Sequence, residues 1–220
     1  MKPWETLATA TAPDGTHFEL QRHDGNYVIL ANGYTLMTSY SHDSEDAMML
    51  LACPRPRADA CILIGGLGMG YTLAATLELM PPRGTVVVSE LVPEVVEWNY
   101  GPLGTLAEYP LNDPRADLVV GDVTDVIRDS ESRFDAVLLD LDNSFDSPTM
   151  ANNSWLYTPQ GLAAVHRSLR PHGALAIWAV DTAATFERRL RRAGFTASLH
   201  PIRGHNKRGG HYSVLIGRRR

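Results

Sequence analysis

The chain has 220 residues, 44% of them hydrophobic and 20% charged, with a formal net charge of −5. That composition excludes a disordered chain, and the lack of any apolar run near ~20 residues excludes a membrane-spanning helix. The acidic total argues against strong non-specific nucleic-acid binding, and two cysteines, Cys53 and Cys61, are too few for a disulfide framework or a cysteine-only zinc site.

The charge is unevenly placed. Residues 1–160 carry 8 Lys+Arg against 23 Asp+Glu, and residues 161–220 carry 12 against 2. Arg188, Arg189, Arg191 and Arg192 share one predicted helix, where a solvated basic face is ordinary, and Arg218 to Arg220 read as a frayed end. The first residues have no continuous apolar stretch of the secretory type, which predicts a cytoplasmic protein.

In chain order, His17 to His23 alternates apolar and polar residues, Asp24-Gly25 is a hairpin turn, Tyr27 to Leu30 a second strand, Asn32-Gly33 a second turn and Tyr34 to Thr38 a third strand. This predicts a three-stranded antiparallel meander. Ser41 to Ser44 then offer N-cap groups for a helix from Glu45 to Cys53, which Pro54 and Pro56 end. A boundary near residue 58 divides a small unit of meander plus helix (1–58) from the remainder (59–220).

From residue 60 the pattern alternates strand and helix. Apolar strands are predicted at 61–64, 85–89, 118–120, 134–139 and 174–180, with helices at 71–80, from 93 to 100, at 123–128, 159–169 and 183–193. Two last strands, 196–202 and 212–216, have no helix between them. Short apolar strands each followed by a helix predict an α/β fold with a mostly parallel seven-stranded sheet covered on both faces, closed by a C-terminal antiparallel hairpin.

The functional signal is the turn Gly65-Gly66-Leu67-Gly68-Met69-Gly70 between the first parallel strand and its helix. Such a turn lets a ligand approach the backbone closely. Glu90 ends the second strand, where a carboxylate accepts from ribose hydroxyls. Asp122 ends the third, where it or its neighbours can read an adenine amino group, and Asp140 ends the fourth. Parallel strands open all these ends on one edge of the sheet, so together they predict a nucleoside site. The spacing is G-x-G-x-G, with Tyr71 where the nicotinamide fingerprint wants glycine, and the phosphate-loop motif is absent. No metal-ligand spacing appears, so no metal is expected.

Those features, with "ILIGGLGMGYTL", "SELVPEVVEWNYGPL", "GDV", "DAVLLDLDN" and "LYTPQGLAAVHRSLRPHGALAIWA", resemble the spermidine synthase-like proteins within the class I S-adenosylmethionine-dependent methyltransferases, over about residues 18–180. The resemblance implies a Rossmann-like class I methyltransferase fold. It implies a cofactor site made by Gly65, Gly66, Gly68, Gly70, Glu90, Leu91, Gly121, Asp122, Val123 and Asp140. Asp140 falls on the first catalytic aspartate of the family's D-x-x-D stretch. The second falls on Asn143, with Asp142 beside it. The loop aspartate that helps hold an aminopropyl ammonium in that family is Gly68 here, a change that suits the carboxylate of intact S-adenosylmethionine. Tyr157 matches the family's aromatic after the active-edge loop, and either lines the acceptor pocket or packs in the core. Tyr40, His42 and Glu45 are candidates to roof the site. Lys207 and Arg208 lie in a loop (203–211) suited to an anionic acceptor.

The expected activity is transfer from S-adenosylmethionine, foremost of a methyl group, to a small-molecule acceptor. The alternatives are aminopropyl transfer from decarboxylated S-adenosylmethionine and a non-catalytic nucleoside-binding protein. Neither nucleic acid nor membrane is an expected partner, and the open edge of the meander is suited to pairing in a homodimer.

Overall fold

The computed structural model describes residues 3–40, 43–141, 151–179, 183–203 and 211–220. The N-terminal sheet has four strands, β1 (Glu5–Thr11), β2 (His17–His23), β3 (Asn26–Ala31) and β4 (Tyr34–Thr38), in the order β1-β2-β3-β4. The sequence predicted three. The extra strand, β1, reads Glu-Thr-Leu-Ala-Thr-Ala-Thr, and its inward residues are mostly alanines, whose burial leaves little periodic signal. It pairs with β2 through a register shift between Thr6 and Ala8. The two predicted hairpin turns are present: Asp24 and Gly25 take φ of 45° and 83°, and Asn32 and Gly33 take 49° and 80°. Paired positive φ values match the right-handed twist of the flanking strands.

Helix α1 (Asp43–Ala52) leads into the large sheet, which runs β5 (Cys61–Gly65), α2 (Tyr71–Leu79), β6 (Thr85–Glu90), α3 (Pro93–Tyr100), β7 (Ala116–Val120), α4 (Val123–Arg128), β8 (Phe134–Leu139), α5 (Pro159–Ser168), β9 (Leu169–Ala179), α6 (Ala183–Arg192), β10 (Phe195–Arg203) and β11 (His211–Arg219). The seven strands lie in the order β10-β11-β9-β8-β5-β6-β7. The five from β5 to β9 are mutually parallel, and β11 is antiparallel to both β9 and β10. The hairpin therefore puts one reversed strand next to the edge. Strand order reverses between β5 and β8. At such a switch point the loops diverge and open a crevice at the carboxyl ends of the strands.

Strand residues alternate between two cores. Ile62, Ile64, Val86, Val88 and Leu138 face the helices α1, α2 and α3, and Leu63, Val87, Val137 and Leu139 face α4, α5 and α6. A third cluster joins the inner face of the small sheet (Phe18, Leu20, Ile29) to Met69, Tyr71, Val95 and Trp98. Tyr71 reinforces that junction, its hydroxyl donating to the Ser39 carbonyl at 3.2 Å. No described helix is long and apolar enough to cross a membrane.

The basic C-terminus is not the frayed end that the sequence suggested. Arg218 donates to the carbonyls of Ala52 and Leu51 at 3.1 and 2.9 Å, closing the C-terminus of α1, a helix with no basic residue in its last turn. Arg219 donates to the Leu169 carbonyl, and Arg220 to Thr196 Oγ1 at 3.1 Å. A cation on the last helical carbonyls is favourable even when exposed. Arg218→Ala is expected to cost about 1 kcal/mol and to lower the melting temperature by roughly 2–4 °C. An unchanged melting curve would mean that this contact carries no stability.

Candidate active site

The glycine turn leaves β5 at the centre of the sheet, beside the switch point. Gly66 and Gly68 take φ of 91° and 53°, a region that side-chain-bearing residues avoid. A Cβ on Gly66 would stand 2.5 Å from the Asp140 carbonyl oxygen, so alanine is excluded there by backbone as well as by φ.

The N–H groups of Gly66, Leu67, Met69 and Gly70 each have a hydrogen-bond partner. Gly66 N–H donates to the Ser89 carbonyl at 2.9 Å, Leu67 N–H to Glu90 Oε2 at 2.9 Å, and Gly70 N–H to the Leu67 carbonyl at 2.9 Å. Gly68 N–H also points to Glu90. Met69 N–H donates to Met37 Sδ at 3.3 Å.

Glu90, at the end of β6, is buried. Its Oε1 accepts from Val92 N–H at 2.9 Å. Burial pushes its carboxyl above the ordinary 4.5, against the opposing pull of the N–H groups of Val92, Leu67, Leu91 and Gly68. Asp122 is the N-cap of α4, accepting from Thr124 N–H at 2.8 Å. Asp140 follows β8. Its N–H donates to the Gly65 carbonyl at 3.0 Å, and its Oδ2 accepts from Thr72 Oγ1 at 2.5 Å. Thr72, in the first turn of α2, is itself buried.

These groups surround one cavity of about 270 Å³. Of the residues named from sequence, Gly66, Gly68, Glu90, Leu91, Gly121, Asp122, Val123 and Asp140 line it. Gly65 and Gly70 do not. A Cβ on Gly65 would meet Val123 and Leu139, and one on Gly70 would meet Asn99 Oδ1, so both glycines shape the turn from behind. Tyr157 is buried with its ring edge-on to Phe186 at 5.3 Å, in the core between sheet and helices, and does not line the cavity. Tyr40 is 59% exposed and away from the lining. His42, Asp142, Asn143, Lys207 and Arg208 lie outside the described residues, as does the side chain of Glu45 in α1.

Sequence reasoning missed the wall that the small sheet supplies. Phe18, Ile29, Leu36 and Met37 line the cavity, as does Trp178 near the end of β9. Alternation in the small sheet marked an apolar face but could not say what that face covers. Trp178 continues the ladder one residue beyond the Leu139–Ile177 pair, which sets it beside Asp140. Asn99 was missed as well. It is buried in α3, and its Nδ2 donates to the Gly68 carbonyl at 2.8 Å and the Val95 carbonyl at 2.9 Å.

The cavity fits an adenosyl group. Carboxylates from three strand ends converge on it, Leu91, Val92 and Val123 offer apolar surface to a purine, and a Cβ at Gly121 would meet nothing within 4 Å, which leaves open space on that wall. Residues 94–213 match the model of a family described as S-adenosyl-L-methionine-dependent methyltransferase. The chain belongs to that family. It is also similar to polyamine aminopropyltransferases. It is 27% identical over 164 residues to the polyamine aminopropyltransferase of Korarchaeum cryptofilum, covering 73% of this chain and 48% of that protein. It is 32% identical over 133 residues to polyamine aminopropyltransferase 2 of Pseudomonas aeruginosa, covering 60% and 36%. The chain thus spans about half or less of these relatives' length. Its fold is that of the spermidine synthase from Thermotoga maritima (TM-score 0.76, 17% identity, 98% of this chain and 72% of the other). The probable spermidine synthase from Corynebacterium glutamicum is also similar (TM-score 0.68, 14% identity, 99% and 81%). The family match includes Asp122 and Asp140 but begins after the glycine turn and Glu90.

Proposed function

We propose that this protein is a transferase that moves a methyl group from S-adenosylmethionine to a small-molecule nucleophile. The observation that carries the reading is the meeting of Glu90, Asp122 and Asp140 with Gly66 and Gly68 in a single cavity. A bound sulfonium supplies an electrophilic carbon and a neutral leaving thioether, so no acid is needed. What remains for the chain is alignment, exclusion of water and removal of a proton. Alignment is the larger contribution, up to ~7–11 kcal/mol in favourable cases. Glu90 is suited to the ribose hydroxyls and Asp122 to the adenine edge. Asp140, fixed by its own N–H and by Thr72, is suited to accept the proton of an amine or hydroxyl. Position 68 favours methyl over aminopropyl transfer: as glycine it has no carboxylate for a cationic aminopropyl tail.

Aminopropyl transfer from decarboxylated S-adenosylmethionine is the second reading. Both curated relatives are polyamine aminopropyltransferases, and among the described residues no Lys, Arg or His lines the cavity to pair with a donor carboxylate. Calorimetry with the two donors, and the mass of any ligand retained on purification, separate the readings. Tighter binding of the carboxylated donor and retained S-adenosylhomocysteine are expected. A retained thioadenosine product with tighter decarboxylated donor would establish the second reading, and binding of neither would remove both.

A further inference from the structure

Met69 N–H is the one donor of the glycine turn that ends on sulfur. A thioether is a weak acceptor, whereas its neighbours in the turn end on carbonyls and on the Glu90 carboxylate. The direction of this N–H is imposed from behind. The Gly68 carbonyl and the Met69 N–H belong to one planar trans peptide and point opposite ways. Asn99 draws the carbonyl toward α3, which turns the N–H toward Met37 on the cavity wall. Asn99 is 1% exposed, and among the described residues its Oδ1 has no hydrogen-bond partner. A buried unsatisfied acceptor is costly, so the loop orientation is held at the expense of Asn99's own pairing. Met37 comes from β4 of the small sheet, and its sulfur faces Gly68.

We propose that Met37 is the weak placeholder on the Met69 N–H, the group that selects the donor by its amino-acid end. The inference rests on the transferase reading above and concerns which donor that site takes. In the donor-free protein the thioether occupies Met69 N–H weakly. A donor carboxylate displaces it and gains a charge-assisted hydrogen bond, which a thioether cannot match. A donor that ends in an ammonium alone cannot accept from this N–H and meets a sulfur with no negative charge.

Affinities of wild type, Met37→Leu and Met37→Glu for S-adenosylhomocysteine, its decarboxylated counterpart and adenosine, measured by calorimetry, test this. Adenosine lacks the discriminating end and reports that each variant keeps a folded site. The wild type is expected to prefer S-adenosylhomocysteine by roughly tenfold, the scale of one charge-assisted hydrogen bond. Met37→Leu, with no sulfur to displace, keeps or widens that preference. Met37→Glu occupies the N–H with an anion and reverses it, each affinity being referred to that variant's own adenosine affinity. A preference that does not move across the three proteins overturns the role of Met37 and leaves the transferase reading standing. A wild type that binds none of the probes overturns both.

Discussion

Glu90→Gln is expected to weaken S-adenosylhomocysteine binding by about a hundredfold, two tenfold losses of roughly 1.4 kcal/mol each. One carboxylate spans two jobs. Its two oxygens already hold Leu67 N–H and Val92 N–H, which fixes the turn, and it is the acid placed for the ribose. Glutamine turns one acceptor oxygen into a donor, so one of those N–H groups faces an NH₂ in a buried setting, and hydrogen bonds to charge are lost at about 1.5–3 kcal/mol each. Calorimetry on the variant, with circular dichroism to confirm the fold, measures the loss. Affinity within a few-fold of wild type would take Glu90 out of the ribose contact.

The same residue sets a pH dependence. Burial raises the Glu90 carboxyl above 4.5 in the folded chain. Between that ordinary value and the raised one, the folded state binds more protons than the unfolded state. This group's contribution to stability therefore falls as pH rises through the window and is level above it. Donor binding runs the other way, because the ionised carboxylate is the better acceptor for two hydroxyls. Affinity should decline as pH drops below the raised value. A dissociation constant that stays flat down to the ordinary glutamate range would sink the assignment.

Asp140→Asn should lower turnover by about 10²–10⁴-fold, the usual worth of a general base, with donor affinity nearly unchanged. Asparagine keeps a carbonyl that the Thr72 hydroxyl can reach, and its backbone N–H still meets the Gly65 carbonyl, so the geometry survives and only the proton acceptor is lost. The measurement is transfer of labelled methyl to a panel of small amines and hydroxyl compounds, alongside calorimetry. Undiminished turnover would leave the proposed mechanism without its base. Turnover absent even in the wild type, with donor binding intact, would favour a nucleoside-binding role.

Much of the site was legible because it is local. A strand, a glycine turn and an acid at the next strand end are contiguous in sequence, and parallel strands bring such ends to one edge by topology alone. Gly66, Glu90, Asp122 and Asp140 were singled out in this way, and all four line the cavity. Asp122 shows a limit, since the same residue caps α4 and lines the cavity, two readings that a sequence weighs as rivals. Tyr157 shows another. Its place after the active-edge loop suited either pocket or core, and in the fold its ring packs against Phe186.

By itself the chain's sequence determined the order of strands and helices from β2 onward, both hairpin turns, the parallel sheet and the acids at its carboxyl edge. Each of these rests on short-range periodicity or on residues with special backbone freedom. The tertiary structure alone decided what lies over that edge. Met37 reaches Met69 from a separate sheet, Asn99 reaches Gly68 from a helix, Thr72 reaches Asp140 across 68 residues, and Arg218 closes α1 from the far end of the chain. These contacts join elements distant in sequence, and no local pattern encodes which of many polar or apolar side chains will meet once the layers pack.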